Sequence, residues 1–215
     1  MVTWQNRILL LCIPMLLQMA CGSGSLQQPD LVAGMWQSAD KKTQTQLNLV
    51  NWYSEEAATL DPKKLGDLEV VKSTGDETIL LGFSEPLDGS LLETVEEEIL
   101  QNKITPLNPP AIEIWSYDLT LQDQKQFKSF TLLYRPDGGY VPPLDAPISK
   151  FPPPAVMIQL QGALPPKSII AIHVIAQKLS NVDQIFMDQV KNLAGTSIVS
   201  PGGSEVAGTI WFQTK

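Results

Sequence analysis

Histidine and cysteine are almost missing from this 215-residue chain: there is one histidine, His173, and there are two cysteines, Cys12 and Cys21. A single histidine excludes a multi-histidine metal centre, and two cysteines exclude a zinc site built from four thiolates. The nucleophile-elbow pattern Gly-x-Ser-x-Gly is absent, and so is an Asp-x-Asp-x-Asp-Gly calcium loop. Positive charge is also scarce, with 15 Lys and Arg against 23 Asp and Glu and a net charge of −8. An acidic surface disfavours nucleic acid and anionic lipid headgroups. No apolar run reaches the ~18 residues that a membrane-spanning helix requires.

What is present begins at the N-terminus. Arg7 is the only charged side chain among the first twenty residues, and the apolar run Ile8 to Leu17 follows it. Small residues close the segment at Ala20-Cys21-Gly22-Ser23. A basic start, a short apolar stretch and a small-residue exit read as a secretory signal peptide over 1–20. The run Leu17-Gln18-Met19-Ala20-Cys21 resembles a bacterial lipobox, with Gln18 standing where the family usually has leucine. The resemblance implies that Cys21 becomes the lipidated N-terminal residue of a bacterial lipoprotein, a membrane anchor that palmitate labelling would report. Gly22, where an aspartate would signal inner-membrane retention, implies sorting to the outer membrane or the periplasmic face. Cys12 falls in the removed segment, so no disulfide is available and the fold must rest on core packing. Loss of Arg7 with the signal moves the net charge from −8 to −9.

Residues 21–34 read as the lipidated cysteine and a flexible Gly/Ser/Gln-rich tether. Residues 35–215 read as one domain, with 31–65 either part of it or a small separate cap. Seven β-type segments stand out: 46–53, 78–83, 111–117, 127–135, 155–161, 168–176 and 205–213. Short strands with turn signals between them, and 17 prolines, point to a mainly β, antiparallel sandwich rather than to long helices. One helix is expected over 90–100, where Ser90 and Glu93 form a capping box and Leu91, Leu92, Val95, Ile99 and Leu100 share a face. A second short helix is expected over 183–191.

Three segments of the body are similar to a bacterial Ig-like domain family first described in surface-layer proteins. They are Glu77 to Asp88 with its Phe83-Ser84-Glu85-Pro86 strand end, the turn Gly162 to Ser168, and Val190-Lys191-Asn192-Leu193-Ala194-Gly195-Thr196. Asn192 and Thr196 replace the aspartate and asparagine usual there, and the chain is longer than a typical unit of ~100 residues. The resemblance implies a spacer, stalk or adhesion module without catalytic machinery.

Candidate sites are few. His173 lies in a nearly continuous apolar strand with Ala171 and Ile175 on its face, so a structural or solvent-facing role outweighs a catalytic one. Glu96, Glu97 and Glu98 fan around a helix as a solvated face. Asp183 with Asp188, or Asp118 with Asp123, are weak oxygen-ligand pairs for calcium. The tryptophans Trp36, Trp52, Trp115 and Trp211 are expected mostly in the core. The proline-rich stretch 136–154 offers stiff chain that loses little entropy on docking, and it nominates Tyr140, Pro142, Pro143, Phe151 and Pro153 for partner binding.

The expectation is therefore a non-enzymatic, lipid-anchored cell-envelope protein acting as a structural or protein-interaction module. No cofactor, no metal and no nucleic acid are implied. The membrane, reached through acyl chains on Cys21, and another envelope or membrane protein are the implied partners. One alternative is an accessory or assembly subunit of a membrane protein complex that docks through the proline-rich loop. A glycan-binding protein or an envelope enzyme is a more distant one.

Overall fold

The computed structural model of the chain describes residues 28–49, 68–88, 110–118, 123–135, 155–191 and 194–215. These residues form eleven strands in two sheets. The first sheet holds β1 (Leu31–Gln37), β2 (Gln44–Gln46), β5 (Thr78–Phe83), β8 (Phe130–Arg135) and β9 (Ala155–Leu160), in the order β2-β1-β5-β9-β8. The second holds β3 (Asn48–Leu49), β6 (Ile112–Asp118), β7 (Gln124–Phe127), β10 (Ser168–Ile175) and β11 (Val206–Thr214), in the order β3-β11-β10-β6-β7. A short strand β4 (Val70–Val71) pairs with β11 in parallel, and every other strand pair is antiparallel.

Period-2 alternation explains how the sheets meet. One face of β5 carries Ile79, Leu81 and Phe83, and one face of β10 carries Ile170, Ile172 and Val174. These side chains join Trp36, Leu132, Val156, Ile158, Ile112, Ile114, Ile210 and Phe212 in a single buried cluster fed by both sheets. Each such side chain contributes roughly 1.5–3 kcal/mol on burial. Trp36 and Phe212 touch across the gap with ring centroids 5.5 Å apart. The sheets approach so closely at Gly34 that a Cβ there would collide with Ile210 Cδ1. The described chain is thus mainly β, two sheets packed in a sandwich-like manner around one apolar core.

Five of the seven expected strands lie within two residues of their places, as β5, β6, β9, β10 and β11. The segment read as one strand over 127–135 is instead two, β7 and β8. Lys128 and Ser129 carry the chain from the second sheet to the first, where the Ser129 carbonyl accepts from Gln161 N at 2.7 Å. The stretch 46–53 is divided as well: Gln46 ends β2 and Asn48 starts β3 in the other sheet. β1 begins at Leu31, so 31–34 belong to a strand rather than to a tether. The described part of 31–65 is built into both sheets and is not set apart as a cap.

The helix expected over 183–191 is absent. Asn181 Oδ1 accepts from the backbone N–H groups of Asp183 (3.0 Å) and Ile185 (2.9 Å), and Gln184 sits at φ +61°. A side chain that captures local N–H groups, followed by a left-handed residue, makes a turn and stops a helix from propagating. The helix expected over 90–100 lies outside the described residues. Gly195, at φ +79°, takes a left-handed turn conformation that glycine adopts without steric cost.

Candidate functional site

The second sheet has a second buried layer on the face turned away from the core. β6 contributes Glu113, Trp115 and Tyr117, β10 contributes Ile169, Ala171 and His173, and β11 contributes Thr209 and Trp211. Register aligns them in rows: Glu113 with His173 with Thr209, and Trp115 with Ala171 with Trp211. Tyr117, Ile169, Ala171, Ile198 and Trp211 form the apolar part, with Leu68, Trp115 and Val190 packed against it. The tilted Tyr117–Trp211 pair has centroids 5.5 Å apart, and His173 stands edge-on to Trp211 at 5.9 Å.

Unlike the inner core, this layer contains polar atoms. His173 is fully buried. Its Nδ1 shares a hydrogen bond of 2.7 Å with the Thr209 hydroxyl, and its Nε2 has no partner. Burial away from water holds its pKa down at about 3, so the ring is neutral at ordinary pH. The Tyr117 hydroxyl is also buried without a partner. Burial, and then the nearby Glu113 carboxylate, push its pKa up. The buried Glu113 accepts from Trp115 Nε1 at 2.8 Å through Oε2 and from Ser204 Oγ at 3.1 Å through Oε1.

Residues 194–205 lie over this layer. Ile198 packs into it, and Gly202 approaches the Glu113 carboxylate and the Trp115 ring. Backbone bonds run from Ile198 N to Val190 O (3.0 Å), from Val206 N to Ile198 O (2.9 Å) and from Ser200 N to Ser204 O (2.8 Å).

Sequence reasoning singled out His173 but assigned its face no polar neighbours. Its companions Glu113 and Thr209 lie on strands far apart in sequence, and only the register brings them together. The arrangement offers a base sealed from solvent and hydrogen-bonded to a threonine hydroxyl. That geometry suits a buried structural histidine better than a proton shuttle, which needs reach to a substrate.

Glu77 is a second buried acid that sequence reasoning missed. It accepts from Thr74 N and Oγ1, Gly75 N (2.9 Å) and Ser73 Oγ (3.3 Å). Burial works against its charge, but the hydrogen bonds from Thr74 and Gly75 prevail and lower its pKa. Ser73 Oγ in turn accepts from Leu164 N at 2.9 Å, so the acid pins the turn before β5 to the turn before β10. The signal in the sequence is a Ser-Thr-Gly run set two to four residues ahead of a Glu.

The remaining nominated residues are dispersed. Asp183 and Asp188 are exposed, and Asp118 and Asp123 meet through a backbone bond of 3.0 Å from Asp118 N to Asp123 O. No group of three metal-ligating side chains occurs among the described residues. Trp36 and Trp211 are buried and Trp115 is partly exposed. A groove of about 400 Å³ lies along Val32, Ala33, Gln46, Leu47, Asn48 and Leu49, with Glu69 as its one ionisable group. No helix among the described residues is long and apolar enough to cross a membrane. Cys21, Trp52, Glu96 to Glu98, Tyr140, Pro142, Pro143, Phe151 and Pro153 lie outside the described residues. Comparisons with family models, curated proteins and solved structures find no match.

Proposed function

We propose that this chain is a lipid-anchored, non-enzymatic cell-envelope protein whose Ig-like sandwich acts as a structural or protein-interaction module. The observation that carries the reading is the run from Arg7 through an apolar stretch to Ala20-Cys21, followed closely by the first strand at Leu31. Residues 22–30 would span at most roughly 30 Å when extended, so acylation at Cys21 would hold the sandwich close to one leaflet. Acyl chains confine a module to a surface and raise its effective concentration toward membrane partners. The Ig-like assignment draws support from two antiparallel sheets around one core and from the three matching segments at 77–88, 162–168 and 190–196. Labelling with an alkyne palmitate in a bacterial host tests the anchor. Wild type is expected to incorporate label and Cys21→Ala is not. Equal labelling of the two would remove the anchor.

One observation favours the accessory-subunit reading as the form the module takes. β8 and β9 are antiparallel neighbours in one sheet, and a two-residue turn is enough to join such a pair. Here residues 136–154, rich in proline, make the connection. A connection this long between paired strands is commonly retained for binding. A photo-crosslinker at Tyr140 is expected to capture one reproducible envelope or membrane protein. Scattered capture would return the chain to a spacer role.

A further inference from the structure

We propose that residues 194–205 form an acid-released cover over the outer face of the second sheet, with His173 as the group that senses the proton. The inference rests on the layer's geometry and is independent of the lipid anchor.

Ile198 packs into the apolar layer, backbone bonds at Ile198, Ser200 and Val206 hold the cover's shape, Glu205 O accepts from Ala176 N at 2.9 Å beside the end of β10, and a side-chain tie, Ser204 Oγ to Glu113 Oε1, joins the cover to β6. His173 lies in the row between Glu113 on β6 and Thr209 on β11. Beneath the closed cover its Nε2 and the Tyr117 hydroxyl are both buried and unpartnered. Opening lets water satisfy both atoms, so the closed state is weakest where these groups sit.

The charges around the imidazole decide the direction of the response. From β6 the ionisable groups are Glu113 and Tyr117. From β11, Thr209 and Trp211 bring no charge. The cover brings the neutral Ser204, while its end residue Glu205 and the flanking Lys191 are exposed to solvent. A proton taken up in the closed state places a cation out of reach of water, with no acceptor for Nε2–H. The one buried anion in register, Glu113, is already engaged by Ser204 and Trp115. In the open state water solvates the imidazolium, and the proton binds at the ordinary histidine pKa. Acid therefore favours opening. An opened cover would present Trp211, Tyr117 and Ile169 as an apolar surface.

Hydrogen exchange on the full-length chain in non-ionic detergent tests the device, with uptake corrected for intrinsic exchange rates. Between pH 7 and pH 5 the opening constant of amides in 194–206 is expected to rise roughly 20- to 30-fold, the single-proton linkage limit for an ordinary histidine pKa near 6.5. At each pH it should exceed the opening constant of β5 and β9. Ser204→Ala should raise it at both pH values by one factor and leave the ratio intact, whereas His173→Gln should abolish the ratio. Protection of 194–206 as deep as that of β5 and β9 would overturn the proposal, as would an unchanged ratio in His173→Gln. Should His173→Gln not fold, the Ser204→Ala ratio decides: the wild-type ratio supports the cover, and a flat profile rejects it.

Discussion

The two faces of the second sheet solve the same problem with different chemistry. Toward the first sheet, Ile112, Ile114, Ile170, Ile172, Val174, Ile210 and Phe212 bury hydrocarbon against hydrocarbon. On the other face, an apolar patch shares its space with Glu113, His173, Tyr117 and Thr209, under a stretch that is mostly turn and bridge. An unpaired buried polar atom costs about 1–3 kcal/mol, and the outer layer has such atoms at His173 Nε2 and the Tyr117 hydroxyl. The difference teaches that a sheet can be permanent on one face and conditional on the other. Such a division needs no change in backbone pairing.

The largest effect is expected on the inner side. Phe212→Ala should lower unfolding stability by about 3–5 kcal/mol in a denaturant titration, because a fully buried aromatic leaves a cavity. A loss under about 1 kcal/mol would mean that the inner core is not where the stability resides. Gly34→Ala should cost about 1–3 kcal/mol, since its Cβ would collide with Ile210 across the gap. An unaffected midpoint would show that the sheets stand further apart than this contact requires.

The outer layer should reveal itself through pH. The folded-state pKa of His173 is lowered to about 3, against an ordinary value of 6.5. The unfolded chain therefore binds the proton first as pH falls. The stabilisation is present above 6.5 and drains away through the window down to the folded value. Between pH 7 and pH 5 global stability should drop by about 2 kcal/mol. A flat profile in chemical denaturation would require the imidazole to find a partner or solvent in the native state. The smallest effect is expected at Tyr117. Tyr117→Phe deletes a buried hydroxyl without a partner, so thermal unfolding should be unchanged or rise by up to about 1 kcal/mol equivalent. A clear loss would show that the hydroxyl is bonded after all.

The inner half of this comparison was readable from sequence, and the outer half was not. β5, β6, β9, β10 and β11 announce themselves through alternation or continuous apolar runs, which report burial directly. β10 is buried along its whole length, Ser168 to Ile175, which explains why its run shows no alternation. β1 was missed because Leu31 to Gly34 was read into the flexible tether, whereas Gly34 here lets two sheets meet. β7 and β8 merged into one segment because a crossing between sheets leaves only the polar pair Lys128-Ser129 as its trace. A helix was expected over 183–191 because apolar spacing says nothing about a side chain such as Asn181 capturing the N–H groups of Asp183 and Ile185. The Glu113–His173–Thr209 row was invisible for another reason. It is a product of register, and register is not written in any one segment.

The placement of β11 carries a consequence for how the protein comes to exist. This strand is bordered by β10, β3 and β4, so the middle of one sheet is supplied by the last strand described. Pairing β3 with β11 joins stretches separated by most of the chain. Nascent polypeptide emerging early has no seat for Leu49 or Val71 until Val206 to Thr214 arrives. Assembly is thereby postponed, since distant pairings close slowly. Until that last strand docks, the earlier strands of the sheet keep open edges, so the sheet closes as one late step.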